Sequence, residues 1–167
     1  MKENFDRSVA LVFRVESGTT IDAGGFTNMG ISTSFAVTIG LSREAVAGMT
    51  REWAARIYRE HFWVPLRGDD LPAGVDLMTM DACVQHGFGD AARILQQALR
   101  VVVDLDIGPI TIATANARNP LATVDEMAAR RMVKYGHELN WDLNDLGWSR
   151  RLMRVHAECL RMAGKPS

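Results

Sequence analysis

The stretch from Val15 to Ser32, VESGTTIDAGGFTNMGIS, sets the strongest limit on how this chain can fold. An apolar helical pattern runs into it and stops. Phe5, Val9, Val12, Phe13 and Glu16 follow one another at spacings of four, three, one and three, which is one face of a helix, so the acid closes an apolar stripe. Gly18 then breaks the backbone, as do Gly24 and Gly25, and FTNMGIS alternates in the manner of a strand before helical patterning returns near Ser42. A helix that ends in a carboxylate against a small hairpin forms a cleft at the junction.

A carboxyl beside apolar neighbours, with solvent on one side only, has its ionised form disfavoured and its pKa raised, the condition for a general acid near neutral pH. Glu16 can equally be a solvated helix-end carboxylate, although the helix dipole disfavours an acid there. Asp22, Thr27, Asn28 and Ser32 supply polar groups around the hairpin. Such residues also bend and cap chains.

The remaining pattern is helical. Ser42 is expected to cap REAVAG, and Thr50 to cap REWAARIYREHFW, with Glu52 near the positive end of the dipole. Trp53, Ile57 and Phe62 are expected to face inward. Tyr58 and Trp63 are rings of a kind that lines sugar sites or sits at a core boundary. WVPLRGDDLPAG is the one stretch with turn chemistry dense enough for a lobe boundary. Residues 75–99 read as two helices broken at Gly87 to Gly89, with Asp81 and Gln85 four apart on one face, either solvated or in need of partners. VVVDLDIGPITIATA is expected as a strand or loop entering a helix at Pro109. Two further helices are expected from about Val124 to His137 and from Trp148 to Met162, with ELNWDLNDLG as a polar loop between them.

With 167 residues, 47% of them hydrophobic, the chain can bury a full core. The formal charge of −1 gives no reason to expect a nucleic-acid partner. Cys83 and Cys159 lie in apolar helical patterns and read as reduced core thiols. The acids near the N-terminus and Arg14 within the apolar run argue against an export signal, and no segment reaches the ~20 apolar residues of a membrane span. His61, His86, His137 and His156 lack metal-ligand spacing. Asp104 to Gly108 lacks the glycine and glutamate of a calcium loop, having Pro109 and Ala115 at those places. There is no GxSxG, phosphate-binding or dinucleotide motif. Carboxylate chemistry remains, and no metal or cofactor is expected.

The order of motifs resembles the glycoside hydrolase family 108 muramidases, also known as secretion activator proteins and phage endolysins. That family has a helix ending in EGG, an Asp-containing loop and GGxTNxGIT. The matching residues here are Glu16, Ser17 and Gly18, then Asp22, then Gly24, Gly25, Thr27, Asn28, Gly30, Ile31 and Ser32. Similar segments follow in Phe62 and Trp63, Asp69 to Gly74, Asp81 to Gly87, Leu95 to Leu99, Ile107 to Thr111 and Gly147 to Arg151. Together they run from about Phe5 to Ala157. The chain departs from the family in having ESG for EGG and a shorter loop before GGFTN.

This resemblance implies a mainly α, lysozyme-like fold with a small β-hairpin lobe beside a cleft. Residues 1–68 would form the catalytic lobe, and 69–167 a helical peptidoglycan-binding-type region packed with it as one compact unit. The implied activity is cleavage of the β-1,4 bond between N-acetylmuramic acid and N-acetylglucosamine. Glu16 would be the general acid, Asp22 the electrostatic stabiliser, and Asn28 or Thr27 the group that positions water or substrate. Asp22 and Asn28 share the six-residue spacing of the broader phage-lysozyme pattern. Gly25, Thr27, Gly30, Tyr58, Trp63, Asp81 and Gln85 would meet the glycan.

The expected partner is peptidoglycan, met by a monomer without membrane insertion. Synthesis would be cytoplasmic, with action in the periplasm or cell wall after release through a holin or another export system. A weakly active cell-wall-binding or secretion accessory protein and a lytic transglycosylase are the alternative functions.

Overall fold

The computed structural model of the chain describes residues 2–15, 19–22 and 25–164, with side chains from residue 4 onward except those of 19–22. Helix α1, Lys2–Val15, buries Phe5, Val9, Val12 and Phe13, the stripe that the spacing predicts, and also Leu11, which lies off that stripe. Strands β1 (Thr19–Asp22), β2 (Gly25–Asn28) and β3 (Ile31–Ser32) form an antiparallel sheet in that order. Asn28 pairs with Ile31 across a two-residue turn in which Met29 and Gly30 have φ of 50° and 77°. Two successive positive φ values make this the type I′ turn whose twist matches a hairpin.

Helices α2 (Thr33–Thr38), α3 (Arg43–Ala47) and α4 (Arg51–Tyr58) follow, and each starts on a hydroxyl cap. Ser32 Oγ accepts from Phe35 N, Ser42 Oγ from Ala45 N and Thr50 Oγ1 from Trp53 N. α4 runs on into a π-helical turn, Arg59–Trp63, marked by Val64 N donating to Arg59 O at 2.9 Å. A short 3₁₀ turn, Gly68–Asp70, then leads to α5, Val75–His86. Every residue of α5 from Val75 to Cys83 is buried.

Gly87, with φ of 81°, breaks α5 from α6, Phe88–Leu99. Residues 101–108 form a loop rather than a strand, and Pro109 opens α7, Pro109–Ala117. α8, Pro120–Gly136, begins before the expected Val124 because Asn119 Oδ1 accepts from Leu121 N. α9, Trp141–Ala163, corrects the expected loop at ELNWDLNDLG, which is mostly helical. Trp141 and Trp148 lie seven apart on one face, and both rings pack on Tyr135, at centroid distances of 6.4 and 5.3 Å. This contact holds polar sequence in a helix that local propensity does not specify.

Four cross-connections join α1, α5 and α9. Asn4 donates to Asp76 at 2.8 Å, and Arg7 pairs with Glu158 at 3.1 Å. Gly74 abuts Cys159 so closely that a Cβ on Gly74 would stand 2.4 Å from the Cys159 carbonyl oxygen, and Asp81 meets Arg151 at 2.7 Å. The last two contacts set α5 and α9 antiparallel.

Among the described residues one hydrophobic cluster extends from Phe5 to Met162, and no helix is long and apolar enough to cross a membrane. Cys83 and Cys159 are both free and buried.

Candidate active site

Glu16 lies outside the described residues, as do the side chain and surroundings of Asp22, whose backbone pairs with Gly25 in the hairpin. The remainder of the hairpin is fixed to the helices by hydrogen bonds. Asn28 Nδ2 donates to Val46 O at 3.0 Å, which commits its amide to joining β2 to α3 and leaves Oδ1 as an acceptor. Thr33 Oγ1 donates to Phe26 O at 2.7 Å. Gly25 and Gly30 take φ of 89° and 77°, conformations that a side chain resists, so both serve the hairpin backbone. Thr27 is half-buried on β2, paired with Thr20 and Ser32.

Three residues expected at the glycan prove to be interior. Tyr58 is fully buried, and its hydroxyl donates to Met29 O at 3.1 Å at the tip of the hairpin. Trp63 is also fully buried, edge-on to Phe5 with centroids 5.4 Å apart, and packs on Gly68, where a Cβ would lie 2.5 Å from the indole. The π turn is the cause. Residues five apart diverge on an α-helix, whereas a turn bonded five residues apart brings Trp63 round to the side of Tyr58. Asp81 is the third. It is completely buried, with Oδ2 2.7 Å from Arg131 Nη2 and Oδ1 2.7 Å from Arg151 Nη2. Burial alone would raise its pKa, but the two guanidinium groups outweigh that and hold the carboxyl below its usual range.

Gln85 does line a cavity. One turn beyond Asp81, it joins His86, Asp90, Lys134, Tyr135, Glu138 and Trp148 around a volume of about 450 Å³. Its side chain is oriented from the core outward. Arg131 Nη2, already on Asp81, donates to Tyr135 Oη at 3.2 Å, and Tyr135 Oη donates to Gln85 Oε1. This leaves the Gln85 amide group as the donor for a ligand. Burial pushes the Tyr135 phenol up, so it remains a donor. His86 is pushed down to about 4 by burial and by Arg131 and Lys134, and is neutral at physiological pH. Lys134 Nζ sits between Asp90 at 2.9 Å and Glu138 at 3.0 Å.

The cavity thus combines aromatic faces, a held amide and two carboxylates that share one lysine, a composition suited to a hydroxyl-rich polar ligand such as a sugar. Tyr135, Trp148 and His86 escaped the sequence reading because each comes from a different helix. GWSRR carried Trp148, but nothing local joined it to Gln85.

The model of the Glycosyl hydrolase 108 family matches residues 9–87, from α1 through the hairpin to the end of α5. A solved structure, SagA of Brucella abortus, is 31% identical over 99% of this chain and 98% of its own, with a TM-score of 0.90. The chain belongs to glycosyl hydrolase family 108. No curated protein sequence matches it significantly. The family assignment, together with the observed fold, bears out the expected lysozyme-like, mainly α architecture with a small hairpin. Within this family 108 chain, the matched segment contains both the hairpin and Gln85.

Proposed function

We propose that the protein is an N-acetylmuramidase that cleaves the β-1,4 bond between N-acetylmuramic acid and N-acetylglucosamine in peptidoglycan. Family membership supports a glycoside hydrolase acting on this kind of polymer. The observation that carries the finer reading is the cavity beside Gln85 and Trp148, where an aromatic face and a held amide donor meet. A sugar ring could stack on Trp148 and accept a hydrogen bond from the Gln85 amide.

In this reading Glu16 protonates the glycosidic oxygen as the bond breaks, and Asp22 stabilises the developing positive charge or directs water. Asn28, oriented by its bond to Val46 O and with Oδ1 left as an acceptor, or Thr27 positions water or substrate. The enzyme would meet its polymer in the periplasm or cell wall after release from the cytoplasm.

Purified protein and a Glu16→Gln variant, incubated with peptidoglycan and analysed by mass spectrometry, test the proposal. Reducing muropeptides formed only by the wild type are expected. Anhydro products would assign a transglycosylase instead, and binding to sacculi with no release from either protein would remove the enzymatic reading.

A further inference from the structure

α9 has a second organised face that the core does not use. Trp148, Leu152, Val155, Cys159 and Met162 point inward at helical spacing. On the opposite side Leu143, Leu146, Arg150, Met153, Arg154 and Arg161 fall within an arc of about 100°. Leu143 is 84% exposed, Leu146 56% and Met153 68%, and Leu139, just ahead of the helix, is fully exposed. Exposed leucines at this density are unusual on a water-facing helix.

The stripe ends in a groove. Leu11, Arg14 and Val15 of α1 face Met153, Arg154, Ala157, Glu158 and Arg161 of α9 across about 480 Å³. The acid there, Glu158, is engaged by Arg7 at 3.1 Å and Arg161 at 3.0 Å. Arg14 and Arg154 have no ion-pair partner among the described residues. Among the described residues this puts guanidinium groups without an ion pair beside apolar side chains on one face, with Asp142 and Asp145 confined to the first turns of α9.

We propose that this face of α9, with the groove to α1, docks on an anionic phospholipid bilayer. Arginine forks bind phosphate in two-point contacts, and leucine and methionine side chains enter the boundary between headgroups and acyl chains. A second copy is a poorer occupant, because the stripe carries no carboxylate to answer its arginines, whereas lipid phosphate supplies that counter-charge. Trp148 is on the far side of the same helix. A chain docked in this way turns the Gln85 cavity away from the lipid. The proposal does not depend on glycan hydrolysis.

Co-sedimentation with vesicles free of peptidoglycan tests it. The wild type is expected to bind vesicles containing about 30% phosphatidylglycerol, to ignore pure phosphatidylcholine, and to dissociate as salt rises. Leu143→Ser/Leu146→Ser and Arg150→Glu/Arg154→Glu should each weaken binding roughly tenfold or more while leaving the circular dichroism and Tm unchanged, since all four positions are exposed. Equal binding to both vesicle types, binding of inorganic phosphate without vesicles, or no effect of either variant would overturn the proposal. So would a concentration-dependent dimer that Leu143→Ser/Leu146→Ser abolishes.

Discussion

Tyr58 and Met29 are joined by a hydrogen bond of 3.1 Å from a fully buried phenol to the carbonyl at the hairpin tip. The bond ties the β2–β3 turn to the hydrophobic core. Tyr58 is braced by Phe13, its ring edge-on at 5.8 Å, and by Phe62 at 5.1 Å. The position of the β2–β3 turn is therefore set from inside the helical body. Tyr58→Phe keeps the ring and removes the donor. It should cost about 1 kcal/mol of stability in urea denaturation. Amide exchange should quicken at Met29 and Gly30 before it does elsewhere, and uniform acceleration would show that the bond does not anchor the hairpin.

Asp81 answers two arginines from two helices, so the three cannot be exchanged one for one. Asp81→Asn leaves two buried guanidinium groups without a counter-charge and should destabilise the fold by roughly 3–5 kcal/mol. Arg131→Met leaves Asp81 paired with Arg151 and should cost less. Thermal unfolding of both variants checks the order. The Asp81 pKa is lowered by folding, so its contribution is present above the ordinary carboxylate range and is lost as pH falls through the folded value.

Asp76 has the opposite sign. Burial raises its pKa to about 6, against hydrogen bonds from Leu77 N, Asn4 and Gly74 N that pull it down. A raised carboxyl favours folding below its unfolded pKa of about 3.9, and that benefit disappears as pH rises through about 6. Relative to Asp76→Asn, the wild type should thus lose on the order of 2 kcal/mol between pH 4 and pH 7. Urea titrations of both proteins across that range measure the difference, and a flat difference would contradict it. Comparing the pair also cancels His86, whose depressed pKa of about 4 makes stability fall as pH drops from its unfolded value of about 6.5.

The cavity makes its own prediction. Trp148→Ala and Gln85→Ala should each weaken binding of a peptidoglycan fragment roughly tenfold, seen as a higher KM in a turnover assay. Tyr135→Phe should act on the same constant through Gln85, because it releases the carbonyl that the phenol holds. A loss confined to kcat would argue that the cavity is not where the glycan rests.

Gly74→Ala tests the tightest helix contact. The new Cβ would meet the Cys159 carbonyl oxygen at 2.4 Å on a backbone with φ of 86°, and neither partner is a flexible side-chain end. A loss of about 2 kcal/mol or more, with a correspondingly lower Tm, is expected.

Local chemistry was legible in the sequence. Ser42 and Thr50 cap as their positions imply, Gly87 ends α5, Pro109 opens α7, and the α1 stripe is buried as its spacing requires. What could not be read depends on partners distant in the chain. Trp63 turns inward through a π turn that leaves no periodic signal, and the start of α9 is held by Trp141 on Tyr135. Asp81 and Gln85, alike as neighbours on one helix face, differ because one meets arginines from α8 and α9 while the other borders a cavity.

The two buried thiols bear on where the chain can work. Burial pushes Cys83 up to about 11, and Cys159, fully enclosed, well above its ordinary value. Neither forms appreciable thiolate at neutral pH, and only thiolate attacks a disulfide or an oxidant. In the folded protein both thiols are therefore enclosed and weakly nucleophilic, and neither is placed to exchange with a disulfide in solution.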